Sequence, residues 1–399
     1  MFKIANHKRI IVLSLVGVFV VSFLFTNETV FGENPAVGDN DWAMFGHDLL
    51  HSGSSSSTGP DTNNTQWVYR TDTDAYSAPA VVDGKVYIGS GDGNVYCLDA
   101  ASGNKIWKYT TSGVVSSSAA VVDDKVYIGS WDNNVYCLDA VTGTKIWNFT
   151  TGDSVSSSAA VVDGKVYIGS EDGNIYCLDA ASGNKIWKYT TDSSVSSSAA
   201  VVNGKVYIGL SGAGVLATGA VYCLDATTGA FLWNYTTDGY PSRPAVVDGK
   251  VYIGSSDGNV YCLDAVTGIK MWNYQAGGRG SSSSPAVAGG RVYIAKSHGY
   301  VYLNKPQSDV QVSCLDAASG AKIWSYTTSG GLSSSPVVVD GKLYIGTRTG
   351  GVYCFGGSFP MILTYLQIPY YLIILIPVVG AILVLILRRR KTVAKSKIP

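Results

Sequence analysis

The chain has 399 residues, 29 Lys and Arg against 29 Asp and Glu, and only 15% charged residues. The zero net charge hides an asymmetry: nine of the bases lie at or before Arg9 or at or beyond Arg388, whereas all 29 acids lie between them. The middle of the chain is therefore about nine charges negative, a surface that disfavours nucleic acid as a partner and favours solubility.

Met1 to Arg9 carries Lys3, Lys8 and Arg9, and Ile10 to Phe25 is an apolar run broken only by Ser14 and Ser22. A basic segment followed by an apolar one is the pattern of a signal peptide, and the run is short of the roughly 20 residues a membrane span needs. Residues 1–32, ending in Val30-Phe31-Gly32, are read as a cleaved signal peptide, with an uncleaved anchor as the alternative. Residues 33–65 form a lead-in containing His47 and His51, whose i, i+4 spacing on a helix could share a metal. A packed lead-in loop is the preferred reading, with no metal site.

Residues 66–357 are repetitive. Tyr-Cys-Leu or a near match places cysteines at Cys97, Cys137, Cys177, Cys223, Cys262, Cys314 and Cys354, which defines seven units of about 40 residues. Each unit reads as four short segments rich in Val, Ile, Tyr and Trp, for example Ala78–Val82, Lys85–Gly89, Val95–Asp99 and Lys105–Thr111. Asp83-Gly84, Asp163-Gly164, Asn203-Gly204, Asp248-Gly249 and Asp340-Gly341 fit two-residue type I′ hairpins between the first two segments. The second segment, VYIG, is apolar at successive positions, so both of its faces should be buried. The predicted fold is all-β, a seven-bladed propeller of four-stranded antiparallel blades. The seventh unit lacks its Trp-bearing segment, and a lone copy, Gln66 to Thr71, stands before the first unit. An N-terminal strand is therefore expected to close the ring and remove an open edge.

Leu98-Asp-Ala-Ala-Ser-Gly-Asn-Lys-Ile-Trp-Lys-Tyr-Thr110 recurs unchanged from Leu178 to Thr190. It reads as scaffold: Asp99 accepts backbone bonds at a turn, Gly103 takes a left-handed conformation, and Trp107 packs against the next blade. Equivalent residues recur around Trp147, Trp187, Trp233, Trp272 and Trp324, with Trp67 in the isolated copy. The seven cysteines share one strand position in successive blades, too far apart for disulfides, and read as buried small apolar residues. No CxxC supports a zinc or redox site.

At these residues the chain resembles the PQQ-binding-like propeller repeats. Asp-Ala-x-[Ser/Thr]-Gly-x-x-x-Trp is similar to their tryptophan-docking motif, and Asp41-Trp42-Ala43-Met44-Phe45-Gly46-His47-Asp48 resembles the lead-in of secreted members. Two branches imply two functions: PQQ- and calcium-dependent dehydrogenases, and a propeller lipoprotein of outer-membrane assembly. The first resembles eight-bladed rings with paired adjacent cysteines, which this chain lacks, and no catalytic Asp can be matched by motif. The second carries a lipidated N-terminal cysteine, whereas the first cysteine here is Cys97. No resident cofactor is expected, with PQQ and calcium as the alternative.

Function should lie where the repeats disagree. The loop between second and third strands reads GSGDGN, GSWDNN, GSEDGN and GSSDGN in four units but expands to LSGAGVLATGA in the fourth and AKSHGYVYLNKPQSDVQ in the sixth. The Ser-rich lead into the inner strand becomes Tyr240-Pro-Ser-Arg243-Pro244 in the fifth unit and is preceded by Gly277-Gly278-Arg279-Gly280 in the sixth. Tyr240, Arg243, Arg279, Lys296, His298, Tyr300, Lys305 and Arg348 are accordingly the candidate ligand-binding residues, a basic and aromatic sector for an anionic or sugar-like ligand or a partner protein. Asp92, Asp132, Glu171 and Asp172 are expected to face the same way.

Residues 358–387 hold a linker and a predicted transmembrane helix, Gln367 to Leu387, followed by the basic tail 388–399. Arg388, Arg389, Arg390 and Lys391 place the tail in the cytoplasm and the propeller outside. The sequons at Asn63, Asn148 and Asn234 fit that location. The sequence thus predicts a non-catalytic, membrane-anchored extracellular propeller that binds or scaffolds a cell-surface protein or glycan. A PQQ-dependent oxidoreductase and a chaperone-like envelope assembly factor are the alternatives.

Overall fold

The computed structural model describes residues 43–48, 54–55, 66–75, 77–212, 218–280, 282–297, 309–328, 331–332, 334–339, 341–346 and 352–355. The signal or anchor segment, the predicted membrane helix and the basic tail lie outside them, as do Trp42, His51, Asn63, His298, Tyr300, Lys305 and Arg348.

Blade 1 consists of Ala80–Val82, Lys85–Gly89, Asn94–Asp99 and Lys105–Thr110, paired in that order and antiparallel throughout. The same order recurs to give seven four-stranded sheets, a seven-bladed β-propeller. The first hairpin closes through two residues of positive φ, Asp83 at 48° and Gly84 at 69°, which matches the right-handed strand twist. In blade 2 the same place holds Asp123 and Asp124, at 50° and 56°, so there a side chain tolerates the region that glycine occupies elsewhere.

Each blade is too thin to hold a core, and the apolar residues are buried between blades. Tyr87, Cys97 and Trp107 of blade 1 pack with Val121, Val126, Ile128, Leu138 and Ala140 of blade 2. The VYIG strand has apolar residues on both faces because both are covered, and Val126, Ile128, Val166 and Ile168 are fully buried.

The repeated thirteen residues form the clamp between neighbours. Asp99 Oδ1 accepts the N–H and the hydroxyl of Ser102, both at 2.7 Å, and these bonds hold its carboxyl below the usual range. The turn presents the Ala carbonyl of each corner to the preceding blade. Trp107 Nε1 and the Tyr87 hydroxyl both donate to Ala140 O, at 3.0 and 3.2 Å. Their rings meet at 5.9 Å, and the same pair of donors reaches Ala180, Ala226, Ala265 and Ala317 around the ring. The Trp107 ring lies so close over Gly143 that a Cβ there would meet it at 2.6 Å. That is why the motif demands glycine at a left-handed position, here φ 73°.

Closure by an N-terminal strand holds, but different residues provide it. The seventh sheet is Ser54–Ser55, Val337–Val339, Lys342–Gly346 and Val352–Phe355, with Ser54–Ser55 parallel to Val337–Val339 on the inner side. Residues 66–71 join no sheet. They nevertheless take the docking place of an outer strand: Trp67 Nε1 donates to Ala100 O at 2.9 Å, and Tyr69 meets Tyr96 at 5.5 Å as Tyr109 meets Tyr136. Side-chain docking onto blade 1 therefore holds the segment without backbone pairing to blade 7. The outer face of Val352–Phe355 correspondingly stays open at Cys354, which is exposed, while the other six cysteines are buried. All seven are free thiols.

Candidate functional site

The loops between second and third strands and the connections between blades share one face of the ring, as the repeats imply. Trp131 N–H donates to Val114 O, and Val115 N–H to Ser90 O, so each connection is held between the loops of two blades. On this loop face the recurring acids are scaffold. Asp132 accepts the Tyr136 hydroxyl at 2.7 Å, the Ser112 N–H at 2.9 Å and the Asn134 N–H at 3.1 Å. Burial opposes its ionisation, but these bonds outweigh burial and hold the carboxyl below the usual range. Asp92 and Asp172 are bonded in the same way, and Asp257 accepts from Tyr261 and Asn259. Glu171 accepts the Ser156 hydroxyl at 2.6 Å.

A second recurring bond ties the inner strands together. Ala78 N–H donates to Ser118 Oγ, Ser118 N–H to Ser158 Oγ, and Ser158 N–H to Ser198 Oγ, all at 3.0 Å, and Ser284 N–H donates to Ser335 Oγ at 3.1 Å. One serine in each of blades 2, 3, 4 and 7 thus receives the backbone of the blade before it. In blade 5 the corresponding residue is Arg243, and the relay stops there.

The lead-in crosses the middle of the ring at this level. Ala43 O accepts Val121 N–H of the inner strand of blade 2 at 2.8 Å, Met44 is buried among residues of blades 2 to 4, and the Arg243 guanidinium lies 4.1 Å from the centroid of the Phe45 ring. Gly46 and His47 then turn with φ 73° and 80°. Arg243 keeps part of its surface open to solvent, while its guanidinium is packed deeply enough that burial lowers its pKa to about 10. No carboxylate opposes that shift, and no described residue forms an ion pair or hydrogen bond with the guanidinium.

The other candidates separate. Tyr240 lies on the connection that carries Arg243 and is exposed, its N–H donating to Ser256 Oγ at 2.7 Å. Arg279 is exposed on the next connection. Lys296 is not at the surface: it is 1% exposed, and its ammonium donates to Gly280 O at 3.3 Å. It occupies the position of Ser170, whose hydroxyl donates to Ser154 O, so the lysine has taken over a serine's backbone bond. Burial lowers its pKa, with Asp257 opposing. Asn148 and Asn234 are exposed on the outer strands Lys145–Thr150 and Phe231–Thr237. The Asn148 amide donates to Asn134 Oδ1 at 3.0 Å.

Sequence reasoning passed over Phe45, Ser198 and Trp131. Trp131 is half exposed, with its indole N–H on Ser116 Oγ at 2.9 Å. The signal for it was present, since GSWDNN alone among the loops carries an indole. The parts played by Phe45 and Ser198 depend on residues far away in the chain and had no local signal.

The family model described as outer membrane protein assembly factor BamB matches residues 26–135, 131–218, 172–308 and 308–358. None of the curated protein sequences matches the chain. Among solved structures, BamB from Moraxella catarrhalis is similar at 21% identity and TM-score 0.60, over 73% of this chain and 88% of that one. Quinohemoprotein alcohol dehydrogenase from Comamonas testosteroni is similar at 16% identity and TM-score 0.67, over 79% and 71%. A europium-containing methanol dehydrogenase is similar at 15% identity and TM-score 0.64, over 79% and 85%.

The quinone cofactor of such dehydrogenases, with its metal, does not fit the donors among the described residues. A calcium ion takes six to eight oxygens, largely from carboxylates, and the loop-face carboxylates of blades 1, 2, 3 and 5 are engaged by tyrosine hydroxyls and backbone N–H groups. Among the described residues no three His, Cys, Asp or Glu side chains cluster as ligands. Fold, docking motif and overlapping matches along almost the whole repeat region agree, and the chain belongs to the propeller family described as outer membrane protein assembly factor BamB.

Proposed function

We propose that the protein is a binding module that holds a cell-surface protein or glycan on its loop face and performs no chemistry of its own. One observation carries this reading. The polar residues repeated in every blade are engaged in scaffold bonds, and the departures from the repeat on the loop face include a cation, Arg243, with no counter-charge among the described residues. Exposed Tyr240, Arg279 and Trp131 on the same face supply aromatic and cationic contacts of the kind that dominate binding surfaces. In this reading Gln367 to Leu387 holds the propeller to the membrane, Arg388 to Lys391 stays on the cytoplasmic side, and the acidic propeller faces outward.

The family match favours a second reading, a helper of envelope assembly that captures extended client segments. Photo-reactive amino acids placed at Tyr240 and Trp131, and at Lys108 on an outer strand as a control, test both readings in intact cells. The binding reading expects discrete adducts from the first two positions and none from Lys108. A single recurring partner supports the surface module, and a ladder of nascent envelope proteins supports the assembly helper. Equal labelling from all three positions would sink both.

A further inference from the structure

The break in the serine relay leaves two donors without an acceptor among the described residues. In blades 1, 2 and 3 the N–H at this point of the inner strand donates to the hydroxyl of the next blade. Ser198 is the equivalent residue of blade 4, the serine it would meet is replaced by Arg243, and no acceptor for its N–H is found among the described residues. Ser198 is 1% exposed, and a backbone N–H buried without a partner is rare in folded proteins and costly. The second donor is the guanidinium of Arg243. Its Cζ lies over the Phe45 ring, 4.1 Å from the centroid, and a cation held on one side by a ring still has N–H groups for an acceptor.

We infer that Arg243 and the Ser198 N–H together bind a carboxylate on the loop face beside the lead-in, carried by a free organic acid or by the C-terminus of a peptide. This deepens the binding-module reading and rests on it. The chemistry selects a carboxylate. The planar fork of an arginine matches two carboxylate oxygens, and the neighbouring backbone N–H supplies a third bond. One positive charge, with Phe45 beside it and burial as the only influence on its ionisation, neutralises a monoanion, whereas a phosphate dianion would be left half compensated in a partly desolvated place. Arg243 remains charged at neutral pH, because burial lowers its pKa only to about 10. Phe45 comes from the lead-in and Arg243 from blade 5, so the site exists only when the lead-in is seated.

The test uses the purified full chain and titration calorimetry with four probes: acetyl-triglycine, its C-terminal amide, butyrate and inorganic phosphate. Arg243→Ser is the informative variant, since it restores the hydroxyl found in the other blades and gives Ser198 its usual acceptor. It should fold with an unchanged or higher melting temperature and bind the acid about tenfold or more weakly, the loss expected for a charged hydrogen-bonded pair. Arg243→Lys keeps the charge and loses the fork, and should weaken binding severalfold even if the serine variant proves unstable. Tighter binding of acetyl-triglycine than of butyrate identifies a peptide terminus as the source, and the reverse identifies a free acid. Equal affinity of Arg243→Ser and the native chain, binding of the amide as tight as the acid, phosphate tighter than either carboxylate, or no carboxylate binding at all would overturn the inference. Adducts at Tyr240 and Trp131 that persist despite such a failure would leave the binding reading intact, whereas their absence would remove that reading itself.

Discussion

Replacing Gly143 by alanine separates the inter-blade clamp from simple backbone strain. The glycine sits at φ 73° with its N–H on Asp139 O at 2.9 Å, so alanine must hold a left-handed conformation that the corner will not release. That costs about 1–2 kcal/mol. The new methyl would also lie 2.6 Å from two atoms of the Trp107 ring. The ring has little room to move, since it is 8% exposed, bonded through Nε1 to Ala140 O at 3.0 Å and packed on Tyr87. Overpacking of this kind adds about 1–3 kcal/mol, for a total of about 2–5 kcal/mol. Gly164 is the matched control, at φ 67° with nothing within 4 Å of where the added methyl would sit. Gly164→Ala should therefore lose only the backbone part, about 1–2 kcal/mol. Urea unfolding followed by tryptophan fluorescence measures both variants against the native chain. Equal losses would refute the argument, because they would mean that the corner relaxes and the Trp107 ring does not lock one blade to the next.

Three other outcomes follow from the same structure. A maleimide probe should label one thiol per folded chain, Cys354, and all seven after denaturation, since the other six are buried and burial pushes the thiols of Cys97 up to about 11 and of Cys137, Cys177, Cys223 and Cys262 up to about 12; mass spectrometry showing two or more labels on the folded protein would contradict this placement. Asp92, Asp132 and Asp172 have folded-state pKa values below the ordinary 3.8, so their contribution to stability is fully present above that value and is lost as the pH falls below it. Melting temperatures measured from about pH 5 down to about pH 2 should fall less steeply for Asp132→Asn than for the native chain, and parallel curves would count against the assignment. Lys296→Ser should leave carboxylate binding unchanged and keep or raise the melting temperature, because a buried ammonium is exchanged for the hydroxyl that other blades use in the same bond; a loss of binding would return Lys296 to the site.

Most of the fold could be read from the letters because its causes are local. Turns need positive φ at Asp83 and Gly84, strands need Val, Ile and Tyr in short runs, and the corner needs Asp99, Gly103 and Trp107 within nine residues. All of these are set by neighbours in the chain, so repetition marks them as scaffold. The candidate site was legible only as a region. Arg243 stood out as a departure from serine, but Lys296, equally conspicuous in sequence, is buried and bonded to a backbone carbonyl.

The sequence by itself determined the number of blades, the strands of the first six and the residues that clamp them, since each follows from a period or a turn written in adjacent residues. The tertiary structure alone decided which N-terminal segment enters the seventh sheet: Ser54–Ser55 pairs inside, and Trp67 docks without pairing. It alone brought Phe45 onto Arg243. It also left the Ser198 N–H without an acceptor among the described residues, because whether a donor is satisfied depends on acceptors that the fold, and not the chain, places beside it.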